Sequence, residues 1–347
     1  MAVMDIAIEI GTSFTSIYLS GSGVVLREPT VVAFIGENEN KKLLAAGVKA
    51  VQMQGRAPEK TTVVCPVSDG YIVDADACVV LMKEFIKRIL PTYVIFPRIR
   101  ALLAVPTGLT VGERKVYEDV LRAAGVNEIM LVDNVIVTAL GFDLPVTSAE
   151  GGLVVNVGGG VTEIAIISLC GTISGCSVNV GGNMMDKALI DFLVGKYGLK
   201  VGGATARRIK EEIGSLYPND IASMEVKGIN TNTMTPSSLN VYATDVYEAL
   251  LPYYARIAEA VEGITNLCPP ELASGIHGMG LFAAGGASRM PGFDKVLKEV
   301  LNIPVTIGED PEYTAISGAG KLLGNKELLN AIRAPVSYTH LTLPTNS

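Results

Sequence analysis

Buried apolar runs separated by short glycine-rich turns are the main pattern of this chain. Residues 153–157 are apolar apart from Asn156, three glycines follow at 158–160, and a second apolar run occupies 164–167. Two β-branched runs joined by a glycine turn predict a β-hairpin. Glycines leave the backbone N–H groups of the turn accessible to a ligand, which suits a phosphate group. Taken alone, the pattern is equally compatible with a hairpin that binds nothing.

The same pattern occurs near the N-terminus and again late in the chain. Residues 6–10 form an apolar run that contains Glu9; Gly11, small hydroxyl residues and a second apolar run follow. A third apolar run, at 281–284, precedes the glycines at 285–286. A repeat of this kind predicts two similar domains that face each other, with the glycine turns forming a nucleotide cleft between them.

Between the hairpins, apolar strands alternate with amphipathic helices. A helix with one apolar face is predicted from 74 to 90, and Thr110 and Glu113 have capping-box spacing for a helix that ends near 125. This alternation is typical of a largely parallel sheet covered by helices. The predicted fold class is therefore α/β, with two duplicated domains around a cleft.

The repeat also predicts the domain boundaries. The first domain spans 1–147 and includes a small inserted subdomain at about 30–66. The second domain spans 148–335 and includes an insertion at about 182–241. A helix at about 314–324 is expected to pack back on the first domain.

Composition argues against several classes of protein. The chain has 347 residues and a formal net charge of −7, which argues against a nucleic-acid-binding surface. Five cysteines without CxxC spacing and only two histidines predict neither a zinc site nor a disulfide framework. No apolar run is long enough to span a bilayer, and no signal peptide is recognised, so a cytoplasmic protein is expected. Residues 336–347 lack helical or strand order and are interpreted as a non-native tail.

Four segments carry a resemblance to a known family. They are REPTVVA at 27–33, ATARRIKEEIGSLYP at 204–218, CPPELAS at 268–274 and EDP at 309–311. With three glycine turns in the same order, the chain resembles the superfamily of actin, heat-shock chaperones and sugar kinases. Within that superfamily it is similar to the MreB family of bacterial actins, from residue 5 to about residue 334.

The resemblance implies an actin-like ATPase fold, in which two RNase H-like domains with small insertions surround a cleft for ATP and Mg²⁺. It also implies membrane-associated filaments that scaffold cell-wall synthesis and cell shape at the inner face of the cell membrane. The implied partners are further copies of the chain, another MreB-family actin and membrane proteins of cell-wall elongation. The alternative is a soluble ATPase of the same superfamily, chaperone-like or sugar-kinase-like, that does not polymerise.

Matching the family motifs residue by residue also assigns the cleft. The implied nucleotide-binding residues are Gly11, Thr12, Ser13, Thr15, Gly158, Gly159, Gly160, Thr162, Arg207, Lys210, Gly285 and Gly286. Of these, Arg207, Lys210 and the last glycine turn match the adenosine end. Glu9 and Asn156 match the positions that orient Mg²⁺ through water, and Asp133 and Asn134 match the catalytic positions.

Several of these positions depart from the family pattern. The family has Asp where this chain has Glu9 and Asn156, a pair of Glu residues in place of Asp133 and Asn134, and Glu in place of Arg207. Asn134 can hydrogen-bond a water molecule but cannot accept its proton. Loss of a general base typically lowers a rate by about 10²–10⁴, so we expect impaired hydrolysis with nucleotide binding retained or weakened. Compensation by Asp133, or by the longer side chain of Glu9, is the alternative.

An apolar segment lies between prolines at 91 and 97. Its central residues are Tyr93, Val94, Ile95 and Phe96, and cations flank it at 87, 88, 98 and 100. The two prolines predict a surface loop. An apolar tip with a basic collar suits insertion into an anionic membrane leaflet. The alternative is that Val94 and Phe96 fold back onto the core.

Overall fold

The computed structural model describes residues 3–36, 41–56, 58–91 and 97–333. Its strands are β1 (Val3–Ile10), β2 (Phe14–Leu19), β3 (Gly23–Pro29), β4 (Val32–Ile35), β5 (Lys42–Ala46), β6 (Thr61–Val64), β7 (Val67–Ser68), β8 (Tyr71–Ile72), β9 (Arg98–Val105), β10 (Glu128–Asp133), β11 (Gly152–Val157), β12 (Thr162–Ser168), β13 (Gly171–Val178), β14 (Leu199–Lys200), β15 (Ser223–Asn230), β16 (Pro236–Tyr242), β17 (Leu281–Ala284) and β18 (Val305–Ile307). Its helices are α1 (Val48–Val51), α2 (Ala75–Ile89), α3 (Val111–Ala123), α4 (Asn134–Gly141), α5 (Gly182–Tyr197), α6 (Gly203–Ile213), α7 (Ala243–Asn266), α8 (Pro270–Met279), α9 (Phe293–Leu301), α10 (Thr314–Gly324) and α11 (Lys326–Arg333), with a short 3-10 helix at Gly286–Arg289.

Two five-stranded sheets form the centres of the two halves, and they share one strand order. The first sheet runs β3-β2-β1-β9-β10 and the second runs β13-β12-β11-β17-β18. In each sheet, read in this order, the first two strand pairings are antiparallel and the last two are parallel. The duplicated α/β arrangement that the glycine-turn repeat predicts is therefore present.

Each half also contains a small three-stranded sheet. In the first half, β5-β4-β6 lies within residues 32–64, inside the insertion predicted at 30–66. In the second half, β14-β15-β16 lies within residues 199–242. The exact boundary between the halves, expected at 147–148, stays a prediction.

The helices of the first half begin at the predicted caps. Asp74 accepts the N–H of Ala77 at 2.9 Å at the start of α2. Thr110 and Glu113 form the predicted capping box at the start of α3. These side chains satisfy N–H groups that a helix leaves unpaired in its first turn, and they fix where each helix leaves the sheet.

Helix α10 packs closely against α4 and β1 of the first half. A Cβ added to Gly318 would lie 1.8 Å from the carbonyl oxygen of Val137, and one added to Gly141 would lie 2.2 Å from the carbonyl oxygen of Thr314. Two helix backbones can approach this closely only where no Cβ stands between them. The last part of the chain is thereby attached to the first sheet.

The segment at 93–96 and the tail at 336–347 lie outside the described residues. The membrane loop predicted from Tyr93 to Phe96 therefore stays a prediction. Within the described part of the chain, no helix is long and apolar enough to cross a membrane.

Gly318→Ala is expected to destabilise the protein by about 1–3 kcal/mol, the usual cost of an added methyl group in a packed contact. Gly324→Ala in the same helix is the matched control, because nothing lies within 4 Å of its added Cβ. That control should unfold at the same urea concentration as the wild type or a higher one. Urea unfolding of the nucleotide-free protein compares the variants, and equal midpoints would contradict the close packing of α4 and α10.

Candidate functional site

The turns that follow β1, β11 and β17 meet at one cavity between the two halves. Its volume is about 540 Å³. The predicted residues that line it are Glu9, Gly11, Thr12, Ser13, Asn134, Asn156, Gly158, Gly159, Gly160, Arg207, Lys210, Gly285 and Gly286. Residues from three distant parts of the sequence therefore share one site, as the repeat predicts.

The first two turns contact each other across the cleft. A Cβ on Gly159 would lie 2.0 Å from Ser13 Oγ, and a Cβ on Gly160 would lie 2.5 Å from Thr12 Oγ1. Glycine is therefore required for the turns to approach. Within the described ranges, the N–H groups of these four residues donate to no backbone carbonyl. Opposed N–H groups at the edge of a cavity suit the oxygens of a phosphate.

Two predicted ligands, Thr15 and Thr162, are buried and do not line the cavity. The hydroxyl of Thr15 lies 3.0 Å from that of Thr30, and the hydroxyl of Thr162 donates to the carbonyl oxygen of Val180 at 2.6 Å. These hydroxyls hold the hairpins together internally. The expectation that they bind the nucleotide is corrected accordingly.

Asp133 does not compensate for Asn134. The carboxylate of Asp133 forms an ion pair with Arg114 and does not line the cavity. Asn134, the first residue of α4, is buried and lines the cavity. The two neighbours therefore point into different surroundings, and the one facing the cavity is an uncharged amide.

A buried carboxylate that the motif match missed lies at the floor of the cavity. Glu163, on β12, is 3% exposed. Its Oε1 accepts the N–H of Thr107 at 2.7 Å, and its Oε2 accepts Nδ2 of Asn134 at 2.7 Å, with Nδ2 of Asn156 at 3.5 Å. Burial raises the pKa of Glu163, and the donors from Thr107 and Asn134 oppose that rise. A sequence signal existed, because a charged residue in a buried strand needs such partners.

Cross-strand pairing relates this carboxylate to Glu9. In the first hairpin Glu9 pairs with Ser16, and in the second Asn156 pairs with Glu163. Each hairpin thus places one carboxylate beside the cavity. In the first half it is Glu9, on the first strand of the hairpin, and in the second half it is Glu163, on the second strand. Burial, and then the charge of Glu163, raises the pKa of Glu9 to about 7, against the effect of Arg27.

Two cations line the cavity on the α6 side. Lys210 Nζ donates to the carbonyl oxygen of Gly182 at 2.8 Å and pairs with Asp186 at 2.5 Å. Arg207 Nε lies 3.2 Å from Asp186, and Arg207 Nη2 donates to Asn183 Oδ1 at 3.0 Å. Burial lowers the pKa of Lys210, and the charge of Asp186 opposes this. Lys210 lies near the second glycine turn, because the N–H of Gly182 donates to the carbonyl oxygen of Gly158 at 3.0 Å. Its expected contact with adenosine stays a prediction, and both cations supply positive charge to the cavity.

Arg207 lies beside the first phosphate-type turn, which differs from the adenosine position expected of it. Ser13 Oγ donates to the same Asn183 oxygen as Arg207, also at 3.0 Å. This surrounding suits a phosphate better than a base or ribose. Other cavity-lining residues that the motif match did not find include Phe14, Arg27, Gly182, Asn183, Glu211 and Tyr254.

Comparison with known proteins decides the family. The family model described as MreB/Mbl protein matches residues 3–331. The chain belongs to the MreB/Mbl family. The cell shape-determining protein MreB of Escherichia coli (strain K12) is 38% identical to it over 322 residues, which cover 92% of this chain and 93% of that protein. The cell shape-determining protein Mbl of Bacillus subtilis (strain 168) is 31% identical over 330 residues, or 95% and 98% of the two chains.

Solved structures confirm the actin-like fold of this MreB/Mbl family member. MreB5 of Spiroplasma citri bound to AMPPNP has a TM-score of 0.87 at 28% identity, covering 96% of this chain and 98% of that chain. The MamK double helical filament has a TM-score of 0.78 at 20% identity, covering 93% and 99%; this match shows the fold alone. The predicted family and fold class are both confirmed.

The chemistry of the MreB/Mbl cleft fits a nucleotide better than it fits a metal ion alone. Unpaired turn N–H groups and the cations Arg207 and Lys210 suit phosphate oxygens. Within the described residues, no group of three or more His, Cys, Asp or Glu side chains could hold a metal ion. Of the two expected Mg²⁺ positions, Glu9 carries a carboxylate and Asn156 does not. Mg²⁺ would therefore take most of its ligands from phosphate and water.

Glu9→Gln is expected to flatten the pH dependence of stability in the nucleotide-free protein. The pKa of Glu9 is about 7 in the folded state and 4.5 ordinarily, so its stabilising contribution is lost as pH rises from 4.5 through about 7. The loss is at most about 3 kcal/mol. Urea unfolding between about pH 5 and pH 8 should show a smaller decrease for the variant than for the wild type.

Glu150→Gln removes one negative charge at an exposed position and serves as the control for net charge. If wild type and Glu9→Gln lose stability equally over this range, then the pKa of Glu9 is not raised and its carboxyl is ionised at neutral pH.

Proposed function

We propose that this chain is an MreB-type actin that binds ATP between its two halves and assembles into filaments. The observation that carries the proposal is the meeting of two phosphate-type turns, Ser13 against Gly159, in a chain matched by the MreB/Mbl family model over 3–331. MreB5 was crystallised with AMPPNP and with ADP, which supports nucleotide binding. Self-association is inferred from membership of the MreB/Mbl family.

The filaments would act as a membrane-associated scaffold for cell-wall synthesis. The relatives in Escherichia coli and Bacillus subtilis are both named cell shape-determining proteins, which supports this role. The proposed partners are copies of the chain itself, a second MreB-family actin and the membrane proteins of cell-wall elongation. The proposed place of action is the cytoplasmic face of the cell membrane.

Hydrolysis in this cleft should be slow. The turn N–H groups, Arg207 and Lys210 would hold the phosphates, which requires no general base. Cleavage of the terminal phosphate does require an oriented water, and Asn134 faces the cavity where the family has Glu. Because an amide cannot accept the proton of water, we expect a loss of about 10²–10⁴ in rate. A second family member in a mixed filament could supply the turnover.

Filament formation is tested by sedimentation with AMPPNP. The purified protein should pellet above a critical concentration, because a nucleotide that contacts both halves fixes their relative position. Gly159→Val should bind AMPPNP at least about tenfold more weakly, since any Cβ there overlaps Ser13 Oγ at 2.0 Å. Gly195→Ala, with nothing within 4 Å of its added Cβ, is the control and should behave as wild type.

The outcome separates the two functions considered. Protein that binds AMPPNP but stays in the supernatant at every concentration, with and without lipid vesicles, would contradict the filament and favour a non-polymerising ATPase. Protein that does not bind AMPPNP would contradict the nucleotide cleft itself.

Membrane attachment by residues 93–96 is the second part of the proposal. The basic collar around this loop is weaker than the sequence predicts. Arg88 pairs with Glu28 and Glu84, and the two arginines that follow the loop also have acidic partners, at 2.6 Å in each case: Arg98 with Glu128 and Arg100 with Asp5. An arginine whose charge is balanced by an acidic partner attracts an anionic surface much less than a free arginine does. Attachment would therefore rest mainly on the four apolar side chains.

Replacing Ile95 and Phe96 together with serine should abolish co-sedimentation with vesicles of phosphatidylglycerol and phosphatidylethanolamine. Because the collar is largely neutralised, wild-type binding should fall only slightly when salt is raised. Ile221→Ser is the control, since Ile221 is an apolar residue with 92% exposure elsewhere on the surface. Unchanged binding by the double variant would assign the loop to the core instead.

A further inference from the structure

The contact between Glu163 and Asn134 has a consequence for the chemistry of the cleft. Glu163 Oε2 accepts Nδ2 of Asn134 at 2.7 Å, and Glu163 Oε1 is held by the N–H of Thr107 at 2.7 Å. Both contacts use Glu163 as the acceptor, so the nitrogen of the Asn134 amide faces Glu163 and its oxygen faces away. The orientation of the amide is thereby fixed by its partner.

The other atom of this amide is left without a partner. Asn134 Oδ1 is buried and makes no hydrogen bond within the described part of the chain, although Asn134 lines the cavity. Buried acceptors are almost always paired with protein or with water. An unpaired amide oxygen beside a cavity with phosphate-type turns is a position at which a water molecule can donate.

We propose that Glu163 is a positioning residue that holds Asn134 so that its amide oxygen accepts a hydrogen bond from the water attacking the terminal phosphate. This rests on the proposed nucleotide cleft. The water oxygen forms the new bond to phosphorus as the bond to the bridging oxygen breaks, and that oxygen leaves with the electron pair. The water proton passes to the released phosphate, because the amide only orients the water.

The proposal also explains how a hairpin with Asn156 retains a carboxyl group at the cavity. Asn156 and Glu163 are cross-strand partners, as are Glu9 and Ser16 in the other hairpin. In the second hairpin the carboxylate therefore lies on the opposite strand, where it reaches Asn134. The water-orienting group is then the pair Glu163 and Asn134 rather than one glutamate at position 134.

Glu163→Gln reverses the contact. One end of the new amide must donate, and the N–H of Thr107 still needs an acceptor, so the nitrogen of Gln at 163 faces Asn134. Asn134 then turns its oxygen toward residue 163 and its nitrogen toward the cavity. In the double variant Asn134→Asp with Glu163→Gln, the new amide at 163 donates and the new carboxylate at 134 accepts. The hydrogen bond that Asn134→Asp alone would break is thereby restored. The second oxygen of the carboxylate at 134 then faces the cavity.

The variants are compared in three measurements: AMPPNP affinity, single-turnover phosphate release and unfolding of the nucleotide-free protein. Glu163→Gln should release phosphate at least about tenfold more slowly than wild type, with an unchanged AMPPNP Kd. The double variant should exceed Glu163→Gln by at least about tenfold and exceed wild type as well. Asn134→Asp alone places two carboxylates together and should lower the unfolding midpoint, which the double variant restores.

The outcomes are distinct. A wild-type rate in Glu163→Gln, or a double variant that folds and binds AMPPNP yet is no faster than wild type, overturns the proposal. The comparison of the double variant with wild type remains informative even where the wild-type rate of phosphate release is too low to detect. Additive effects of the two substitutions on unfolding would likewise show that the two side chains are not coupled. Failure of wild-type protein to bind AMPPNP would instead contradict the nucleotide cleft and hence the proposed function.

Discussion

The cleft depends on the hydrogen bonds that the buried carboxylate of Glu163 accepts. Glu163 belongs to the second half, while its two close donors, the N–H of Thr107 and the amide of Asn134, belong to the first. A carboxylate that is 3% exposed is costly to bury unless such donors are in place. The two sheets are therefore held at one relative position along the cavity floor.

The fold could be predicted from the sequence because its signals are local. An apolar run, a glycine turn and a second apolar run define a hairpin wherever they occur, and the repeat from Glu9 to Asn156 indicates duplication. The glycine turn at 158–160 is a local signal too, whereas the close approach of Gly159 to Ser13 is visible only in the structure. The caps at Asp74 and Thr110 likewise involve residues three positions apart.

The parts of the site that could not be predicted depend on partners distant in sequence. Comparing the chain with the family motif position by position finds no acid at Asn156. The strand pairing shows that a carboxylate lies directly opposite, at Glu163. Asp133 was a reasonable substitute for a catalytic acid until Arg114, on another element, was seen to bind it. Arg100 in the expected membrane collar is paired with Asp5 in the same way. Spacing along the chain carries no information about such pairs.

The floor and the mouth of the cleft differ in how firmly they join the two halves. At the floor, the bonds of Glu163 are buried, and breaking them would leave a charge without donors. At the mouth, the bond from Ser13 to Asn183 is exposed and can be exchanged for bonds to water at little cost. Phosphates bound beside the turns at Ser13 and Gly159 would thus act where an exposed bond joins the halves. Under the proposed function, binding would depend on the glycine turns, and the orientation of a reacting water would depend on the buried contacts of Glu163.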